Sequence, residues 1–175
     1  QSDVSISDIS DATVGFAISG PKARDILSAL THHDVSNEAL PFLGCTSMDI
    51  GLIRAKVGRL SVAGELGFEI NCSSAEHVSL RNMLLEAGAG HRLREYGFYA
   101  LNSMRMEKSF GIWSFEFTQG YTPGMTRMDR WIAWNKGEFV GREAALAERD
   151  GNTAKQKLVT LQIDADGAEA SGYEP

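Results

Sequence analysis

In the first part of the chain, the apolar residues follow a pattern typical of a strand and then a pattern typical of a helix. Residues 13–20, T-V-G-F-A-I-S-G, are mostly apolar and end at a glycine, which is typical of a buried strand. Pro21 suits the first turn of a helix, and the apolar residues after it recur at helical spacing, at Ala23, Ile26, Leu27 and Leu30. The pattern therefore predicts a strand followed by a helix that begins at Pro21.

Residues 59–70, R-L-S-V-A-G-E-L-G-F-E-I, contain two glycines among residues that favour strands. Gly64 is followed by Glu65, and Gly67 is followed at a short interval by Glu69. This predicts a strand, a tight turn and a second strand. A carboxylate on a strand just past such a turn could accept paired N–H groups from a flat heterocycle. The alternative is a solvated hairpin with two surface glutamates, and the pattern alone favours that alternative.

The remaining elements follow from the same kind of pattern. Residues 48–64 alternate polar and apolar positions and read as two strands. Amphipathic spacing predicts a helix capped by Ser74, a helix within residues 96–112 and a last helix near Gly141, while residues 155–163 read as a closing strand. Because strands and helices do not alternate strictly, the order favours an α+β domain with a mostly antiparallel sheet and packed helices.

Composition and charge narrow the functional classes. The chain has 175 residues, 43% of them hydrophobic, which is enough for one sizeable soluble domain. The formal net charge of -6 argues against a general nucleic-acid or anionic-membrane surface, and no apolar run reaches transmembrane length. Cys45 and Cys72 lack any C-x-x-C neighbour, which favours a reduced compartment, either the cytoplasm or, in a eukaryote, the mitochondrial matrix.

Common catalytic signatures do not occur in the sequence. The adjacent His32 and His33 lack a third ligand, so we expect no metal site there, and His77 reads as a surface or half-buried residue. No Ser/His/Asp order, zinc spacing or dinucleotide fingerprint is present. From the residues alone, the chain is an α+β domain with a possible small-molecule pocket.

Five stretches, taken together, resemble one family. G-P-K-A-R-D-I-L, G-E-L-G-F-E-I, S-M-R-M-E-K, T-P and K-G-E-F-V-G-R-E-A-A-L occur in the order and spacing of the folate-binding domain of glycine cleavage T proteins, the aminomethyltransferases. The helix A-L-N-S-M-R-M-E-K with a following tryptophan is more similar to the copy fused to FAD-dependent dimethylglycine and sarcosine dehydrogenases. The resemblance covers roughly residues 3–175.

The resemblance implies a three-lobed ring around a central hole that holds tetrahydrofolate. The family transfers a one-carbon unit from a small amine such as glycine, sarcosine or dimethylglycine to folate. In the family, the second glutamate of G-E-x-G-x-E accepts hydrogen bonds from the pterin ring, and this residue matches Glu69. We interpret Glu65 as a surface residue of the turn. The family's upstream aspartate falls before residue 1, so we assign no catalytic residue within the chain.

The resemblance also implies a domain layout and partners. Residues 1–150 correspond to the C-terminal portion of the folate-binding domain, and residues 151–175 to the start of a truncated C-terminal β-barrel. We therefore expect a fragment that is inactive alone. The implied partners are folate, a small amine, and a fused or associated FAD oxidoreductase domain or lipoyl carrier protein, with no nucleic acid and no membrane.

Three positions depart from the family pattern. Val62 stands where many relatives have tyrosine, and Leu101 stands where T proteins have a folate-contacting arginine, which the dehydrogenase-type relatives also lack. Residues 124–128 read G-M-T-R-M instead of L-E-A-G-L. Three hypotheses remain: a folate-dependent transferase domain, a non-catalytic folate-binding or regulatory module, and a scaffold that has lost folate. Folate titration and a transfer assay distinguish them.

Overall fold

The computed structural model describes residues 3–162 and 164, which form two compact units. The first unit ends at Phe110 and the second begins at Gly111. The strands are β1 (Thr13–Ser19), β2 (Cys45–Ile50), β3 (Ile53–Gly58) and β4 (Gly67–Ser73). The helices are α1 (Ala23–Ser28), α2 (His77–Gly88), α3 (Phe98–Glu107), α4 (Pro123–Thr126) and α5 (Arg142–Gly151).

The first unit contains one four-stranded sheet in the order β1-β4-β3-β2. All three neighbouring pairs of strands are antiparallel. The α+β class with an antiparallel sheet, predicted from the order of the elements, is therefore confirmed. The ring and the β-barrel that the resemblance implies stay predictions.

Helices α1 and α2 cover one face of this sheet. Phe68 and Ile70 of β4 are completely buried, and they share one core with Leu27 of α1 and Leu80 of α2. Burying an apolar side chain of this size stabilises a fold by about 1.5–3 kcal/mol. The helical spacing after Pro21 is confirmed, because the buried residues of α1 are Ala23, Ile26 and Leu27.

Several predicted boundaries were wrong. Helix α1 begins at Ala23 and not at Pro21, and Ser73, not Ser74, provides the cap before α2, its hydroxyl accepting from the Ala75 amide at 3.4 Å. Strand β3 ends at Gly58, so the expected strand before Gly64 is instead an eight-residue connection, residues 59–66.

In the second unit, Thr122 caps the short helix α4, and its hydroxyl accepts a hydrogen bond from the Met125 amide at 3.3 Å. The helix predicted near Gly141 is confirmed as α5. The strand predicted at residues 155–163 was wrong as far as the structure describes it, because residues 155–162 have no strand pairing, and Ile163 lies outside the described residues. Within residues 3–162 and 164, no helix is long and apolar enough to cross a membrane.

Candidate functional site

Glu69 lies in β4, an inner strand of the sheet. Residues along β4 alternate in direction, so Phe68 and Ile70 point into the core while Glu69 and Asn71 lie on the opposite face. Both Glu69 and Asn71 are half-buried. We call this second side, which carries Ala17, Gly58, Glu69 and Asn71, the polar face.

The positions beside Glu69 carry the smallest side chains of the sheet. Glu69 pairs with Ala17 of β1 on one side and with Gly58 of β3 on the other. Directly opposed residues have Cβ positions roughly 5 Å apart, so larger residues here would crowd the carboxylate. The carboxylate is therefore flanked by a methyl group on one strand and, on the other, by a buried glycine against which Leu60 Cδ2 packs.

Two further glycines accommodate neighbouring side chains. A Cβ added at Gly15 would collide with the side chain of Asn71, and one added at Gly67 would lie 2.5 Å from Ser61 Cβ. Real Cβ atoms do not approach other heavy atoms this closely, so both positions need glycine as the neighbours now stand. The two glycines therefore make room for the side chains of Asn71 and Ser61.

The carboxylate of Glu69 is available to a ligand. Among residues 3–162 and 164 it receives no hydrogen bond and forms no ion pair. A carboxylate has two oxygens that can accept parallel N–H donors, and such charge-assisted pairs are stronger than neutral ones. The predicted role of Glu69 as a ligand-contacting residue is compatible with this geometry, which does not by itself test it.

Glu65, the other glutamate of the motif, is engaged within the protein. Its Oε1 lies 2.8 Å from Nζ of Lys108, just past the end of α3. The hydrogen bond and the charge of Glu65 raise the pKa of Lys108 above its ordinary value. Both side chains are partly exposed, so the pair is screened by solvent. The two glutamates therefore differ in the structure as they did in our interpretation of the sequence.

The connection of residues 59–66 is held to the sheet by short contacts. The Ser61 hydroxyl lies 3.0 Å from the Ser19 hydroxyl and accepts from the Ala63 amide at 3.2 Å. The Gly20 amide donates to the Leu66 carbonyl at 2.8 Å. Ala63 is buried, and Val62, which departs from the family pattern, is half-buried between these attachments.

Helix α3 contains a buried cation that the sequence did not single out. Arg105 is only 3% exposed, its Nε donates to Asn102 Oδ1 at 2.8 Å, and its guanidinium donates to the Phe110 carbonyl at 3.1 Å. Leu101, the second departure, is half-buried in the same helix.

The third departure, residues 124–128, forms α4 and its end. A Cβ added at Gly124 would lie 2.7 Å from one carboxylate oxygen of Glu148. The other oxygen of this carboxylate accepts a hydrogen bond from the Thr122 hydroxyl. Arg127 adopts a left-handed backbone with φ of 60° at the position where the L-E-A-G-L pattern has glycine. The backbone conformation typical of glycine is thus present here although the residue is an arginine.

The histidines and cysteines do not assemble a metal site. His77 stacks on Phe16, with ring centroids 5.4 Å apart, and His33 Nε2 lies 3.9 Å from an Asp49 carboxylate oxygen. Cys45 is exposed and Cys72 is buried, and both are free thiols. No group of three metal-ligating side chains occurs in the part of the chain that the structure describes.

Sequence comparisons connect these features with known proteins. The chain is 31% identical over 173 residues to mitochondrial dimethylglycine dehydrogenase of Homo sapiens, an alignment covering 98% of this chain and 20% of that protein. It is 32% identical over 171 residues to the aminomethyltransferase of Caldanaerobacter subterraneus, covering 98% of this chain and 45% of that protein. Sarcosine oxidase subunit alpha of Rhizobium meliloti is 32% identical over 159 residues, which are 90% of this chain and 16% of that subunit.

The chain therefore spans less than half the length of each of these relatives. The family described as the GCVT N-terminal domain matches residues 1–136, which is more than half of the chain. This match, together with the relatives that align over nearly the whole chain, confirms the resemblance drawn from the five motifs. The chain belongs to the GCVT N-terminal domain family.

Proposed function

We propose that this domain binds tetrahydrofolate and takes part in one-carbon transfer from a small amine. The observation that carries the proposal is the carboxylate of Glu69, half-buried and without a protein partner among the described residues, between Ala17 and Gly58. Family membership supports it, because an aminomethyltransferase is among the relatives.

The residues present fit a pterin ring. A pterin edge offers adjacent N–H donors, and the two oxygens of the Glu69 carboxylate can accept both. The ring itself is flat and largely apolar on its faces, so it needs a shallow, unobstructed surface beside the carboxylate. Ala17 contributes only a methyl group to such a surface, and beside Gly58 the nearest side-chain atom is Leu60 Cδ2, 3.1 Å from where a Cβ would stand. Bulky side chains at these two positions would exclude the ring.

In this proposal Glu69 binds and orients the ring and moves no proton. Tetrahydrofolate, when bound, supplies the nitrogen that accepts the one-carbon unit. We assign no catalytic residue within the described chain. The C–N bond of the amine is oxidised or polarised by a group outside these residues, either an FAD oxidoreductase domain or a lipoyl carrier protein.

The names of the relatives support a choice among donors. Dimethylglycine dehydrogenase and sarcosine oxidase subunit alpha are named for N-methylated amino acids, which favours a donor of that class with an associated FAD domain. Because aminomethyltransferases are also among the relatives, a glycine-derived aminomethyl group is the second class of donor that we consider for this chain. We propose a cytoplasmic or mitochondrial-matrix location, the latter by analogy with the mitochondrial relatives.

The departures favour one alternative function, a folate-binding or regulatory module without transfer activity. Val62 offers no hydroxyl and Leu101 offers no guanidinium at positions where T proteins carry tyrosine and arginine. Both changes remove polar contacts to a ligand while leaving Glu69 in place. A module of this kind would bind folate and release it unchanged.

A transfer assay on the whole gene product separates these functions. The protein is incubated with tetrahydrofolate and, in separate reactions, with an aminomethylated lipoyl carrier, or with dimethylglycine or sarcosine together with an artificial two-electron acceptor that reoxidises the flavin, and formation of 5,10-methylenetetrahydrofolate is measured. Methylene transfer with one donor supports the proposal. Folate binding with no transfer from any donor would favour the module, and absence of folate binding would refute both.

A further inference from the structure

The two motifs G-E-L-G-F-E-I and S-M-R-M-E-K meet in the structure through one ion pair. Glu65 lies in the connection of residues 59–66 that leads into β4, and Lys108 is the residue that ends α3. Their charged atoms are 2.8 Å apart. The pair therefore links the segment before Glu69 to a helix that comes much later in the chain.

Close packing lies directly beside this ion pair. Gly64 has a left-handed backbone with φ of +74°, and a Cβ added there would lie 2.8 Å from Lys108 Cβ and 2.9 Å from its Cγ. The backbone of the connection thus rests on the methylene stem of Lys108. Glycine is required both by the φ angle and by this approach.

The end of α3 is itself held in one conformation. The Phe110 amide donates to the Arg105 carbonyl at 2.8 Å, while the Arg105 guanidinium donates to the Phe110 carbonyl at 3.1 Å. The intervening Ser109 is left-handed, with φ of 56°. Because this turn is fixed from both sides, Lys108 presents its ammonium group from a defined place and does not merely follow Glu65.

We propose that Glu65 and Lys108 are positioning residues for folate binding. The pair holds the connection, which carries Val62, against the residue that follows α3, and Leu101 lies in the first half of that helix. The resemblance places position 101 where T proteins have a folate-contacting arginine and position 62 where many relatives have tyrosine, so in our proposal the ion pair sets the separation of two walls of the pocket. This inference rests on the proposed function, and neither residue touches the ligand.

The test measures tetrahydrofolate affinity of the whole gene product by calorimetry. Glu65→Gln removes one charge, and Lys108→Met removes the other while keeping a methylene stem against Gly64. We expect each variant to bind about threefold more weakly, the size that loss of one partly exposed ion pair can produce. A double variant combining Glu65→Lys with Lys108→Glu should recover most of the lost affinity.

Two controls separate positioning from general stability. Lys22→Met breaks another exposed ion pair, with Asp25 at 3.1 Å, and should leave the Kd unchanged. If the transfer assay is positive, the KM for folate should rise while kcat at saturating folate stays the same. A merely structural pair would lower the melting temperature of the variants without changing Kd or KM, which would overturn the inference.

The failures of the two proposals are distinguishable. If the wild-type protein does not bind tetrahydrofolate, the proposed function fails and this inference fails with it. If the wild-type protein binds and Glu69→Gln weakens binding, but Glu65→Gln and Lys108→Met bind like wild type, only the positioning role is overturned.

Discussion

Glu69 of β4 and Gly58 of β3 lie directly opposite each other in the antiparallel ladder. The glycine leaves the carboxylate without a side chain beside it on that strand, and Ala17 adds only a methyl group on the other. A charged residue on an inner strand is usually flanked by partners that satisfy it. Here the flanking positions leave room for a ligand to satisfy it.

A larger side chain at position 58 should fill the space beside the Glu69 carboxylate and weaken ligand binding. A Cβ at Gly58 meets only Leu60 Cδ2, at 3.1 Å, and Gly58 has no positive φ, so the backbone tolerates Gly58→Val with a small shift of Leu60. We expect cooperative unfolding to persist and tetrahydrofolate affinity to fall about tenfold or more, as an overpacked site costs about 1–3 kcal/mol. Ser47→Val, on the same face of edge strand β2, is the matched control. Equal affinity of Gly58→Val and wild type would place the ring elsewhere.

Gly64 should be far less tolerant than an ordinary glycine. Gly64→Ala places a Cβ in the left-handed region and against Lys108, so we expect a loss of at least about 1–2 kcal/mol in the free energy of unfolding. Gly90→Ala is the control, because a Cβ there meets nothing within 4 Å and φ is not positive. Urea denaturation measures both. A Gly64→Ala variant as stable as Gly90→Ala would contradict the described turn.

Arg127 occupies a position that favours glycine. Its φ of 60° at the end of α4 carries a cost that glycine does not have, so Arg127→Gly should raise the free energy of unfolding by about 1 kcal/mol. Lys136→Gly, at an exposed residue without a positive φ, should not stabilise the protein. Urea denaturation of both variants and of wild type measures these free energies of unfolding. An unchanged or lower stability of Arg127→Gly would show that the arginine side chain compensates for its backbone strain.

The two thiols should react at very different rates. Burial raises the pKa of the Cys72 thiol, and the nearby charge of Glu76 raises it further, so Cys72 stays protonated at neutral pH. Cys45 is exposed at the start of β2. In the folded protein, a thiol reagent such as 5,5′-dithiobis(2-nitrobenzoate) should react with one thiol per protein molecule in a fast phase. The substitution Cys45→Ser should abolish this fast phase. A fast phase that survives in Cys45→Ser would mean that Cys72 is accessible.

The strands of the core could be predicted from their alternation, but the connection could not. The apolar letters at Leu60, Val62 and Ala63 suggested a strand. They instead reflect a packed loop, in which Ala63 is buried and Ser61 bonds to Ser19. Residues 155–162 also alternate like a strand, yet a strand needs a neighbouring ladder. The described hydrogen bonds there include only one backbone bond to α4, from the Leu158 amide to the Met125 carbonyl at 2.8 Å.

The choice between the two glutamates shows what sequence reasoning supplied and what it lacked. The pattern alone treats Glu65 and Glu69 alike, and only the family resemblance favoured Glu69. The structure adds a physical reason, because Glu65 is paired with a lysine distant in sequence while Glu69 lies between small residues. The burial of Arg105 could not be predicted from the sequence, since one of its partners, Phe110, contributes a backbone carbonyl, which any residue has.

The most direct test of the account is calorimetric titration of the whole gene product with tetrahydrofolate, comparing wild type with Glu69→Gln. The amide keeps the shape of the side chain but replaces one acceptor by a donor, and hydrogen bonds to a charged group contribute about 1.5–3 kcal/mol. We therefore expect a Kd at least about tenfold higher for Glu69→Gln than for wild type, and an unchanged Kd for Glu86→Gln on α2. Wild-type affinity in Glu69→Gln would contradict the assignment of the polar face as the folate site.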